Sequence, residues 1–213
     1  MSDKANSRFA TTQTCVMSWP KLFEPEQFTD KKTGKTSGNA YYSAQFTIDP
    51  NSDDFKALKA ASAEVAKARW PSRELKEIRW PWVNGTKKAD DRKTKGKEDG
   101  EYQRGKAVIT SKSGEEYRPR LAVWDGRSID LTDDILISKY KSWFFSGAEV
   151  LVEWNLKAYD GVGANPDGIT AYLNLVLSTG KGDKLAGGGA PASEVFKGYV
   201  GHATEEDPTD IPF

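Results

Sequence analysis

Tyr159 closes an alternating segment in which Asn155 and Lys157 share its parity, while Val150, Val152, Trp154 and Leu156 take the other. A side-chain period of two puts the two sets on opposite faces of a strand. An aromatic ring and an ammonium therefore stand together on a polar face, and Trp154 belongs to the core. Trp124 repeats the arrangement, sharing its parity with Arg118 and Arg120 opposite Leu121 and Val123. Tyr41 faces away from Phe46 and lies next to a basic loop bearing Lys31, Lys32 and Lys35. Flat rings stack on bases and cations neutralise phosphates, so this pairing suits sequence-tolerant binding of an unpaired nucleic-acid strand. Lys32, Lys35, Lys106 and Lys112, with Lys31, Lys87 and Lys88, are phosphate candidates as a set, although any one of them alone reads rather as a solvated charge. Trp82 and Trp80 bracket Pro81, a stacking wedge or else a packing plug between a helix end and a sheet.

A second chemistry sits in residues 201–213. They carry Glu205, Glu206, Asp207 and Asp210, no Lys or Arg, and end in Asp210-Ile211-Pro212-Phe213. The chain is neutral, with 31 Lys and Arg against 31 Asp and Glu, so residues 1–200 carry 31 against 27, or net +4. A mildly basic body with an acidic arm is the asymmetry of a nucleic-acid binder with a competing tail. The arm is too acidic and too unpatterned to fold alone. Its apolar end makes a plug of Ile211, Pro212 and Phe213 flanked by Asp207 and Asp210, suited to a basic-rimmed apolar pocket on a partner protein.

Other chemistries lack their residues. The one histidine, His202, lies in the arm, so the body has no imidazole for a nucleophilic triad or a two-histidine metal site. The one cysteine, Cys15, excludes an intramolecular disulfide and reads as a small buried hydrophobe. The glycine-rich segments lack the Gly-Lys-Ser/Thr sequence of a nucleotide-binding loop, and no cofactor or metal is expected. Asp125, Asp130, Asp133 and Asp134 cluster, which keeps a metal-dependent nuclease open as an alternative, although residues 128–134 also read as turn and helix-cap chemistry. A protein-only replication adaptor is the other alternative, and it leaves the aromatic and basic faces without a use. No long apolar run or basic-then-apolar start points to a membrane or to secretion.

The elements that must position these residues are mostly strands. Residues 9–19 read as a strand ended by Pro20, residues 29–39 as a basic turn, and residues 40–48 as a strand with Tyr42, Ala44, Phe46 and Ile48 inward. Ser52, Asp53 and Asp54 open a helix to about Arg69 with Phe55, Leu58, Ala61, Val65 and Ala68 at helical spacing. Residues 86–104 are highly charged without periodicity and read as a long flexible loop. Strands near residues 106–111 and 118–124 precede a hairpin of 149–159 with 169–178, in which Ile169, Ala171, Leu173, Leu175 and Leu177 face inward across a mobile glycine-rich turn. The fold class expected is mainly β: an OB-fold-like barrel over residues 1–200 with one main α-helix, a long charged loop and a disordered acidic tail at 201–213. An open sandwich is the competing geometry.

The order of short motifs resembles the bacteriophage single-stranded DNA-binding proteins of the OB-fold type found in phage replication modules. The motifs are Phe9-Ala10-Thr11, Leu22-Phe23-Glu24-Pro25, the strand 41–48, Phe145-Ser146-Gly147, Ala158-Tyr159-Asp160, Gly168-Ile169, Gly187-Gly188-Gly189 and the acidic end at Phe213. The resemblance implies a binding aromatic at Tyr159. It also implies a non-catalytic protein that coats single-stranded DNA in replication or recombination, in the cytoplasm of an infected bacterial host. The Asp-Ile-Pro-Phe ending is similar to that of bacterial single-stranded DNA-binding proteins, which implies recruitment of phage or host replication and repair proteins. A homodimer stays open. Two departures stand out: the tail is shorter and less acidic than in some relatives, and residues 86–104 match no family motif.

Overall fold

The computed structural model describes residues 6–29, 33–97, 100–163 and 165–185. Lys31, Lys32 and the whole acidic arm, with Asp207, Asp210, Ile211, Pro212 and Phe213, lie outside them. Among the described residues there are nine strands, β1 (Asn6–Ala10), β2 (Cys15–Thr29), β3 (Thr36–Ile48), β4 (Trp82–Asn84), β5 (Ala107–Gly114), β6 (Arg120–Trp124), β7 (Ser128–Asp130), β8 (Ala148–Tyr159) and β9 (Gly168–Gly182). Three α-helices join them: α1 (Asp53–Arg69), α2 (Gly85–Thr94) and α3 (Asp134–Tyr140).

Five strands close on themselves. β2 pairs antiparallel with β3 and β3 with β5, while β5 meets β9 in parallel at Lys112 and Tyr172. β9 then runs antiparallel to β8, which returns to β2 through Val150 and Cys15. A closed barrel of mixed direction with short flanking strands is the OB-like architecture expected. β1 adds to β8, β4 adds to β5, and the β6–β7 hairpin adds to β9.

Alternation fills the interior. Tyr42, Ala44, Phe46 and Ile48 of β3 are buried, as are Val150, Val152, Trp154 and Leu156 of β8. Fully enclosed Trp154 stacks on Phe9 at 6.2 Å and meets Phe46 edge-on at 5.6 Å. α1 packs against β1, β8 and β9, burying Phe55, Leu58 and Val65. Ser52 caps its start by accepting from the Phe55 amide at 3.2 Å, with Asp53 and Asp54 in the first turn. Cys15 is buried. Desolvation pushes its thiol up to about 12, so it stays protonated and packs as a hydrophobe.

Four segments differ from the expected pattern, each for a local reason. The first strand is split at residues 11–14, because buried Asp54 accepts from the Thr12 amide (2.8 Å), the Thr12 hydroxyl (2.7 Å) and the Gln13 amide (2.8 Å). Pro20 does not end β2. Ser18 pairs with Gln45 and Lys21 with Ser43, so a bulge absorbs Trp19 and Pro20, with Trp19 at φ 46°. In β9, Trp154 pairs with Leu173 and Glu153 with Leu175, leaving Asn174 as a bulge. Parity flips there: Val176 and Ser178 are buried while Leu175 and Leu177 are only half-buried. Residues 86–104 are not a loop throughout but hold α2 and a 3₁₀ turn at Glu101–Gln103. Asn84 caps α2 by accepting from the Lys87 amide at 3.1 Å, and Arg104 ties its far side by pairing with Asp90 at 2.9 Å and Glu101 at 3.0 Å.

Candidate nucleic-acid interface

Barrel register brings residues from five strands into one row. Ser43 of β3 opposes Lys112 of β5, Lys112 opposes Tyr172 of β9, Tyr172 opposes Asn155 of β8, and Asn155 opposes Arg8 of β1. Residues directly opposite in a ladder project to the same side, here the outside, since their chain neighbours Tyr42, Ala171, Trp154 and Leu156 are buried. Tyr172 is 43% exposed. The Lys112 ammonium lies 3.9 Å from the centroid of the Tyr41 ring, a cation–π contact that holds both side chains over the sheet. Lys157 opposes Thr170 and Tyr159 opposes Gly168, continuing the same face toward the β8–β9 turn.

That turn was expected to be mobile, yet both its ends are pinned. Asp160 pairs with Arg69 at the end of α1, which holds the Asp160 carboxyl below its usual range, and Asp167 pairs with Arg73. Gly168 meets a steric demand. A Cβ there would lie 2.4 Å from the Tyr159 hydroxyl and 2.8 Å from the Arg79 carbonyl oxygen.

Beyond Tyr159 the face descends into a cleft of about 550 Å³ lined by Arg79, Trp80, Pro81, Lys87, Lys88 and Tyr159, with Thr110 and Thr170 also lining it. Trp80 stacks on Trp82 at 5.4 Å with 9° between their planes, and Trp82 meets Phe55 edge-on at 5.3 Å. Burial in the cleft wall pushes the Lys88 ammonium down to about 8, with Arg92 adding to the effect.

The residues singled out from the sequence thus fall into separate places. Tyr41, Lys112, Lys157 and Tyr159 share the face, and Lys87 and Lys88 border it from α2. Trp82 is packed between Trp80 and Phe55, on the inner side of the cleft wall. Lys35 stands exposed just before β3. Lys106 precedes β5 at the end away from Lys112, 3.9 Å from Asp49. Arg120 and Trp124 lie on β6, which joins β9 only from Leu175 onward, and Arg118 precedes that strand. Trp124 is 53% exposed and Arg120 is 3.9 Å from Asp130, so this is a second patch. Tyr172, Arg79 and Arg8 were missed. Tyr172 had a signal, because it alternates against Ala171 and Leu173. Arg79 had none, since only the parallel bridge from Arg79 to Gly168 brings it to the face.

The clustered acids have other partners. Asp133 caps α3 by accepting from the Ile135 and Leu136 amides at 3.0 and 2.9 Å, and Asp125 accepts from the Tyr140 hydroxyl at 2.7 Å. Among the described residues no three His, Cys, Asp or Glu side chains are grouped to hold a metal ion.

An OB-like barrel carrying an aromatic and cationic outer face defines the class: an oligonucleotide-binding architecture. The family model described as the ssDNA-binding protein of Enterobacter phage Enc34 matches residues 9–209, and the chain belongs to that family. Among solved structures, the C-terminally truncated single-stranded DNA-binding protein of bacteriophage Enc34 superposes with a TM-score of 0.54 at 18% identity, covering 87% of this chain and 95% of that one. The same phage protein in complex with ssDNA gives 0.53 at 17% identity, covering 87% and 91%. At these identities the likeness is one of fold. A sequence comparison with curated proteins finds no match.

Proposed function

We propose that this chain binds single-stranded DNA along the outer face of β3, β5, β9 and β8, without catalysis. The observation that carries the reading is the group of Lys112, the Tyr41 ring it lies over and the Tyr172 opposite it in register, two rings and a cation on one rigid face. Bases stack on Tyr172, Tyr41 and Tyr159, and Lys112, Lys157, Lys87 and Lys35 take phosphates, a division that recognises features common to every base. The Enc34 relative solved with ssDNA supports the same ligand class. In this reading the protein coats single strands during phage replication or recombination in the cytoplasm of the infected host. Its arm, through Asp207, Asp210, Ile211, Pro212 and Phe213, recruits phage or host replication proteins.

The test is a band-shift comparison of single- and double-stranded oligonucleotides across a salt series. Single strands should be preferred with little sequence choice, and log affinity should fall against log salt with a slope near −3 to −4 if about four to six phosphates are neutralised. Equal affinity for duplex, or binding indifferent to salt, contradicts the reading.

A further inference from the structure

The cleft beside Tyr159 differs in kind from the open row. One wall is apolar and stiff, with Trp80 and Pro81 backed through Trp82 to Phe55 of α1. Arg79 is fixed next to it by its backbone, whose amide donates to the Asp167 carbonyl at 2.9 Å and whose carbonyl accepts from the Ile169 amide at 2.8 Å. α2 adds Lys87, Lys88 and Asp91 to the lining. Among the described residues, no hydrogen bond or ion pair engages the Lys88 ammonium. Three cations, one acid and an aromatic wall surround a space within the range of about 300–1,000 Å³ that holds small ligands.

Resting on the reading of the face as a single-strand track, we propose that this cleft is a nucleotide subsite. One nucleotide of the bound strand lays its base against Trp80 and Pro81 and sets its phosphate on Lys87 and Lys88, and Lys88 takes up a proton from solvent as the site fills.

The proton follows from what faces Lys88. On its own helix these groups are Lys87, Asp91 and Arg92; across the cleft they are Arg79 and Tyr159, with neutral Thr110 and Thr170. Burial and Arg92 disfavour its charged form, and among the described residues Asp91 is the one acid lining the cleft. In the free protein a share of Lys88 is neutral near and above pH 8. A phosphate supplies the missing negative charge and restores the ammonium. The pKa rises on binding, so affinity is full below about pH 8 and falls as pH rises through that value, by about tenfold near pH 9.

The experiment titrates the full chain with oligothymidylate from about pH 7 to about pH 9, with calorimetry in two buffers of different ionisation enthalpy. Wild type should weaken about tenfold and take up protons on binding. Lys88→Arg, whose guanidinium stays charged throughout this range, should show a flat profile whatever its affinity at the lower pH. Lys112→Ala, on the open row, should weaken binding at every pH and keep the slope. Thymidine monophosphate should drive the same proton uptake in the wild type and not in Lys88→Arg. A flat wild-type profile with tight binding overturns the subsite, and so does a Lys88→Arg variant that keeps the tenfold fall. Equal proton uptake with inorganic phosphate overturns its nucleotide character. Failure to bind oligothymidylate at any pH takes down the single-strand reading itself.

Discussion

Tyr172 and Tyr159 occupy the same face but do different work. Tyr172 stands 43% exposed between Lys112 and Asn155, with the buried pair Ala171 and Leu173 beside it in the chain. Its ring is offered to solvent and contributes little to the core. Tyr172→Ala should therefore weaken single-strand binding by about 1–3 kcal/mol, the cost of one stacking surface, and leave the thermal midpoint unchanged. Tyr172→Phe should bind nearly as wild type, because the ring and not the hydroxyl is used. Tyr159 is half-buried with its hydroxyl against Gly168, so Tyr159→Ala should lower both affinity and thermal midpoint. Fluorescence titration beside thermal melts separates the two. Unchanged affinity in Tyr172→Ala would remove the row of β3, β5 and β9 as the strand track.

At the scale of elements, α2 decides whether Lys87 and Lys88 face the cleft at all. The helix buries little besides Gly85 and Ala89, so its hold rests on polar contacts: the Asn84 cap, Arg104 bridging Asp90 and Glu101, the Gly85 amide donating to the Lys106 carbonyl, the Thr86 hydroxyl accepting from the Gly105 amide, and Arg92 over the Trp19 ring. Asn84→Ala should cost about 0.5–2 kcal/mol of stability and weaken single-strand binding with it, whereas Asn84→Asp should retain both; denaturant melts and binding titrations check this. The same weakness made α2 illegible in the sequence. A helix with two small buried residues shows no apolar stripe, and its charges read as loop. β3, β8 and α1 were legible because each packs one face against a continuous core, so burial imposes period two or helical spacing on their residue types. The bulges of β2 and β9 were not, since a bulge is fixed by the partner strand's register and leaves only a break in parity. Parity put Tyr41, Lys157 and Tyr159 on an outer face, and the family resemblance pointed to Tyr159 as well. The cleft was hidden because Arg79, Lys88, Thr110 and Tyr159 come from distant stretches that only barrel closure unites.

The whole molecule divides charge between a body of net +4 and an arm with four acids and no cations. In the proposed reading those acids compete with DNA for the cationic face. Deleting residues 204–213 should tighten single-strand binding, most at low salt where the attraction is least screened. Phe213→Ala should leave DNA affinity nearly unchanged and abolish capture of replication proteins from infected cells. A truncation that binds no more tightly, or a Phe213→Ala chain that captures the same proteins, would sink the corresponding assignment. The way the barrel closes also bears on how it is made. β9 supplies the pairing edge for β5, β6 and β8 together, and it is the last strand described. As the chain leaves the ribosome from its N-terminus, those three edges stay open until residues 168–182 emerge. The domain therefore reaches its native state only once Gly168–Gly182 has emerged, and until then the nascent chain presents unpaired strand edges of β5, β6 and β8 to its neighbours on a polysome.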